Sequence, residues 1–234
     1  MAGPVFALFG LLLVITAVLA GAGAGTWVLA WCGASFLFLS VVYVFNRPLL
    51  LGKRPDGSQA PLSLLAVAPY LLLQHLAWDI TRRVRREPAM QEIAPGLWIG
   101  RRPVGDELPP GIRTVVDATC EFRGDPGALA GRDYIAVPML DRWVPPDADL
   151  ARAVSAITEA KGDVLVHCAF GHGRSALIVA AAMIARGDVP DADAAVARLV
   201  AIRPAVALSG AQRRSLARFE AAHRADGGRS LPFN

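Results

Sequence analysis

Charge is absent from the beginning of this chain: residues 4–45 contain no Asp, Glu, Lys or Arg. A bilayer's hydrocarbon core takes about 20 apolar residues per helix, so the stretch is long enough for two passes. Residues 62–78 form a second uncharged run, and the raised share of hydrophobic residues comes mainly from the first third. A chain of 234 residues then has room for one soluble domain behind a membrane region.

Cysteine is scarce as well. Cys32, Cys120 and Cys168 have neither zinc-type spacing nor an even count, which argues against a disulfide scaffold and a structural zinc site. No metal-ligand cluster is visible, and no metal or other cofactor is expected. A functional thiol suits a reducing compartment. A basic surface is also missing beyond the membrane region, because residues 88–234 carry 17 basic and 17 acidic side chains. Much of the net charge of +4 sits at Arg82, Arg83, Arg85 and Arg86, which outweigh Glu87 by three. No nucleic-acid partner is expected; arginines in this position suit anionic headgroups or act as a stop-transfer flank.

The glycine-rich residues 21–25 mark a reversal, so the first two segments are predicted at 5–20 and 27–45, with Trp27, Trp31 and Tyr43 as interface or packing aromatics. A cleaved signal peptide is the alternative for the first segment; no Lys or Arg precedes it and a second apolar segment follows, which argues against cleavage. Residues 46–61 read as a polar turn with Arg47, Lys53, Arg54 and Asp56. Residues 62–80 either span a third time or lie in the interface, since Gln74, His75 and Asp79 interrupt their end. His75 there reads as a packing or interface residue. The positive-inside rule prefers the four-arginine run in the cytoplasm. The expectation is an integral protein of the plasma or inner membrane with its soluble domain cytoplasmic: a membrane region over 1–80, a basic linker over 81–91, a catalytic domain over 92–225 and a tail over 226–234.

Within the soluble part, residues 88–96 read as linker and 97–100 as a short strand. Residues 112–119 form a β-branched strand, 124–131 a turn-rich stretch and 134–137 another strand. Helical spacing covers 150–160, a strand 164–167, and helices 176–186, 192–202 and 209–225, the last opened by Ser209. Alternation of this kind implies an α/β sheet, mostly parallel and flanked by helices, with its ligand site at the carboxyl ends of strands.

One stretch carries chemistry. Residues 164–175, Val-Leu-Val-His-Cys-Ala-Phe-Gly-His-Gly-Arg-Ser, read as strand, loop and helix start. The backbone N–H groups of Ala169, Phe170, Gly171, His172, Gly173 and Arg174, together with a helix N-terminus, favour an anion in the loop. A thiol at Cys168 in that field should ionise well below an ordinary cysteine and act as a nucleophile. The planar fork of Arg174 suits two oxygens of a tetrahedral anion. The bland alternative is a buried cysteine before a glycine turn.

The sequence His167, Cys168, five residues, Arg174, Ser175 resembles the signature of the protein tyrosine phosphatase superfamily. Pro-Gly-Leu-Trp-Ile-Gly at 95–100, Gly-Ile-Arg-Thr-Val-Val-Asp at 111–117, Val-Pro-Met-Leu-Asp at 137–141, and Arg203 and Pro204 followed by Gln212 resemble its dual-specificity branch, over about residues 92–220. The resemblance implies a cysteine phosphatase fold and a phosphocysteine intermediate. By the same resemblance His167 orders the loop and tunes the thiol, Ser175 helps the thiolate leave, and an upstream aspartate is the general acid. Asp141 is the candidate; Asp147 and Asp149 are rivals that a helix start would use as caps. Loop residues 169–174 would bind substrate, with His172 also able to add positive charge. Cys120 reads as a buried strand-end thiol, with a disulfide trap for Cys168 as the alternative. The expected substrate is a phosphorylated protein, at tyrosine or serine/threonine, or a membrane lipid phosphate. A non-catalytic phosphate-binding membrane scaffold and a rhodanese-like sulfurtransferase are the competing readings.

Overall fold

The computed structural model describes residues 2–227; the tail beyond Gly227 lies outside them. The chain divides into two compact units, Met1–Arg54 with Gln59–Arg86, and Pro55–Ser58 with Glu87–Asn234.

The first unit is helical. Its elements are α1 (Ala2–Leu19), α2 (Ala24–Val44), a 3-10 turn at Pro48–Leu51, and α3 (Pro61–Val84). All three α-helices are long and apolar enough to cross a membrane. Gly10 and Gly33 let α1 and α2 meet backbone to backbone: a Cβ on Gly10 would lie 2.8 Å from the Gly33 carbonyl oxygen, and one on Gly33 would lie 2.9 Å from that of Gly10. Pro69 inside α3 has no N–H for the Leu65 carbonyl. The indole N–H of Trp31 donates to that oxygen at 3.1 Å instead, satisfying a group that would be costly to leave bare in an apolar setting. The helix also continues past residue 80. Asp79, which seemed to interrupt it, accepts from Arg82 at 2.7 Å and pairs with Arg83 at 2.8 Å, one turn on.

The second unit holds a five-stranded sheet in the order β1-β2-β5-β3-β4. β1 (Met90–Ala94) runs antiparallel to β2 (Leu97–Arg101); β2, β5 (Asp163–Cys168), β3 (Ile112–Asp117) and β4 (Asp133–Ala136) are parallel. The mostly parallel α/β architecture is the expected one, but β1 corrects the linker predicted over 88–96. Met-Gln-Glu-Ile-Ala has no strong β pattern, and the strand exists through its pairing with β2 across the Pro95–Gly96 turn. Gly96 takes φ +71° there, and its N–H donates to Glu92 Oε1 at 2.9 Å.

Four helices, α5 (Asp147–Glu159), α6 (Arg174–Ala185), α7 (Ala192–Ile202) and α8 (Gly210–Ala225), supply the larger core. A single turn, α4 (Pro126–Leu129), contributes to a smaller one with Leu108, Ile112, Val115 and Leu165. Every residue of α6 from Arg174 to Ile184 is buried. Alternation along β5 sends Val164, Val166 and Cys168 to the α6 side and Leu165 to the other. The thiol therefore emerges at the carboxyl end of a central strand, beside the helix that follows it. α8 starts where Ser209 predicts, in a reciprocal capping box with Gln212.

Candidate active site

β5 ends on Cys168 and α6 begins six residues later at Arg174, so residues 169–173 must turn tightly. Gly171 makes the turn with φ +79°, and its Cα faces β2: a Cβ there would meet the Gly100 carbonyl at 2.6 Å. No other residue fits without moving the strand.

The Cys168 sulfur is buried, 3.3 Å from the Gly171 N–H that donates to it and 3.4 Å from the Ser175 hydroxyl. Burial alone raises a thiol's pKa. Here the Arg174 charge, the Ser175 hydroxyl and the N–H groups of Ser175 and His172 outweigh it, and the Cys168 thiol lies below an ordinary cysteine. Ser175→Ala should move the acid limb of Cys168 alkylation to higher pH, measured as alkylation rate against pH; an unmoved limb would remove the hydroxyl from the thiol's environment. The N-cap of α6 is Gly173, so Ser175 does not cap the helix.

Arg174 is held from behind. Its Nη1 and Nη2 donate to Glu121 at 2.8 and 2.7 Å, and Nη1 also donates to the Met139 carbonyl at 3.0 Å. A guanidinium has five N–H donors. Three are used, which leaves the Nε–H and the second Nη2–H, parallel along one edge. Nε is buried and has no hydrogen-bond partner among the described residues. An edge of this kind has the geometry to pair with two oxygens of a tetrahedral anion. Burial pushes Glu121 up, but Arg174 overrides it and the carboxyl lies below its ordinary range. Cys120 lies behind this pair, its S–H donating to the Met139 carbonyl at 3.1 Å. Burial and the adjacent Glu121 raise its pKa, so it stays a thiol.

Asp141 stands on the open side, largely exposed, with Oδ1 3.8 Å from Arg174 Nε. Arg142 next to it takes φ 64°, and its carbonyl accepts from the Ser209 hydroxyl at 2.8 Å, which ties the loop to α8. The rivals lie elsewhere. Asp147 pairs with Arg218 at 2.9 Å and Asp149 with Arg152 at 2.9 Å, both in the first turn of α5. Neither makes the capping bond predicted for it, because Pro146 occupies the cap.

Beneath the loop, His167 Nε2 lies 3.8 Å from Asp117 Oδ1. Asp117 in turn accepts from the Thr119 N–H and hydroxyl at 2.8 and 2.6 Å and from the Tyr134 hydroxyl at 2.7 Å. His172 does not point into the loop as an added cation. Its Nε2 meets Glu87 Oε2 at 2.6 Å, so its part in the cradle is its backbone N–H.

Arg203, quoted above only as a point of resemblance, is buried and braces the loop's outer side. Its Nη2 donates to the Phe170 carbonyl at 3.0 Å and its Nε to the Gly171 carbonyl at 3.1 Å. C=O and N–H point opposite ways across a trans peptide. Holding those two oxygens outward turns the N–H groups of Gly171 and His172 inward, towards the sulfur. Glu121 carries no local motif, Asp117 and Arg203 entered only as points of resemblance, and the fold brings all three to the site.

Residues 110–222 match the family described as dual specificity phosphatase, catalytic domain. These residues are a dual-specificity phosphatase catalytic domain. No curated protein matches its sequence. Among solved structures this phosphatase resembles PTPMT1 in complex with PI(5)P, at 21% identity and TM-score 0.54 over 60% of this chain and 99% of that one. Human DUSP28 aligns at 22% identity and TM-score 0.51 over 58% and 99%. Human tyrosine phosphatase-like serine/threonine/tyrosine-interacting protein aligns at 23% and TM-score 0.51 over 60% and 99%. At such identities the likeness concerns the fold. The phosphatase domain takes the second unit alone; the three apolar helices lie outside the matched residues.

Proposed function

We propose that this phosphatase is a membrane-anchored phosphomonoesterase with Cys168 as nucleophile and a membrane lipid phosphate as substrate. The observation that carries the chemistry is the buried Cys168 sulfur, held between the Gly171 N–H and the Ser175 hydroxyl and drawn below an ordinary thiol. The thiolate attacks phosphorus, an S–P bond forms and the ester P–O bond breaks. Asp141 gives its proton to the departing oxygen. The loop N–H groups and the free edge of Arg174 stabilise the equatorial oxygens. In the second step the Asp141 carboxylate takes a proton from water, which attacks phosphorus. The S–P bond breaks and the Ser175 hydroxyl donates to the returning thiolate.

Two features support a lipid substrate over a phosphopeptide: the apolar helices of the first unit, read as the anchor, and a structural neighbour crystallised with PI(5)P. The arginines at 82, 83, 85 and 86 support a cytoplasmic catalytic domain at an anionic leaflet. Phosphate release from lipid-phosphate vesicles and from a panel of phosphotyrosine and phosphoserine/threonine peptides tests this; turnover of the peptides alone would overturn the lipid assignment. Asp141→Asn should lower kcat by about 10²–10⁴-fold on an alkyl phosphate. The loss should shrink on an aryl phosphate whose phenol is acidic, since that leaving group needs no proton. Equal losses on both would remove Asp141 as the acid.

A further inference from the structure

Glu87 is the first residue of the second unit's main segment and directly follows the arginine run. Its Oε2 takes His172 Nε2 at 2.6 Å and Arg203 Nη2 at 3.4 Å. Those partners are the side chain of one loop residue and the guanidinium that grips two others. Arg203 has further anchors on the same segment, the Pro88 carbonyl at 3.0 Å and Gln91 Oε1 at 2.9 Å. Phe170 stacks on His172 with ring centroids 6.2 Å apart, which joins the two loop side chains on this side.

We propose that Glu87 is a positioning residue for the phosphate-binding loop: by holding His172 and Arg203 together it keeps the Gly171 and His172 N–H groups aimed at the Cys168 sulfur. The inference rests on the cysteine-nucleophile reading above and extends it to a residue outside the signature and outside the matched family region. The chain of contacts is short. Among the described residues Glu87 is the carboxylate that meets both braces; Arg203 is buried, burial lowers its pKa, and the Glu87 charge opposes that. Removing the carboxylate leaves a buried guanidinium less neutralised and frees the imidazole. The peptide planes at 170–172 then lose their outer restraint, and the thiolate loses N–H donors that lower its pKa.

The test uses the full chain in detergent or nanodiscs, with Glu87→Ala and Glu87→Gln, the second keeping size and an acceptor oxygen but not the charge. Three quantities are measured: the pH dependence of alkylation at Cys168, resolved by peptide mass from Cys32 and Cys120; kcat and KM; and the melting temperature. The expected result is an acid limb displaced to higher pH and a kcat lowered about tenfold or more, since each displaced unit of pKa is a factor of ten in thiolate below it. Glu87→Gln should lie between wild type and Glu87→Ala, with melting nearly unchanged. An alkylation profile equal to wild type in both variants overturns the proposal, whatever happens to melting. The alkylation readout needs no turnover, so an inactive wild type would count against the catalytic reading while the positioning of the thiol is still decided.

Discussion

Cys168→Ser is expected to abolish phosphate release, by at least about 10⁴-fold in kcat, while leaving the fold intact. Oxygen is smaller than sulfur, so the substitution adds nothing that clashes. What it removes is a group that can ionise in this field. The loop's N–H groups, the Ser175 hydroxyl and Arg174 together bring a thiol below its ordinary range, but an alkanol lies far too high to ionise in the same field. Phosphate binding should survive or improve, because the cradle remains and the competing thiolate charge is gone. A phosphate-release assay alongside binding of inorganic phosphate checks both halves. Hydrolysis unchanged in the serine variant would sink the nucleophile assignment and favour a scaffold or a contaminating activity. A persulfide on Cys168 would favour sulfur transfer.

Substitutions at Arg174 should separate catalysis from stability. In Arg174→Lys a point charge remains near Glu121, but the parallel Nε–H and Nη2–H edge is gone, and the expected loss is about 10²–10³-fold in kcat. In Arg174→Met the Glu121 carboxylate stays buried without its partner. Breaking a buried pair from one side costs about 3–5 kcal/mol, enough to lower the melting temperature visibly. The sign of the pH dependence follows from the lowered Glu121 pKa. In the wild type this pair's contribution is present above the ordinary carboxylate range, near pH 4, and is lost as pH falls through the lower folded value. In the methionine variant burial acts without the opposing Arg174 charge and favours the protonated acid, so the deficit should be largest at neutral pH and shrink on acidification. Melting curves of both proteins between neutral and acid pH check this. A deficit independent of pH would mean that Glu121 contributes through packing alone.

The signature loop was legible because its chemistry is local. Strand, loop and helix lie within residues 164–185, and Cys168, Gly171, Arg174 and Ser175 meet through the turn that connects them. As candidate acid, Asp141 came only from the resemblance; it lies beside Arg174, whereas Asp147 and Asp149 are paired with Arg218 and Arg152. A domain start at residue 92 looked natural because Met90–Ala94 has no strand pattern. It would cut away Glu87, Pro88 and Gln91, all of which hold Arg203.

Hydrophobic run length and period depend on neighbours in the chain, so the sequence by itself determined the apolar helices, the alternating α/β order and the loop that carries Cys168 and Arg174. Tertiary structure alone decided what surrounds that loop. Glu121 lies 53 residues from Arg174, Arg203 lies 32 from Gly171, and Glu87 lies 85 from His172. Each is a charged side chain whose local sequence would suit solvent. The parallel crossovers gather them at the carboxyl ends of β2, β3 and β5, and burial there makes each one depend on a partner far away in the chain.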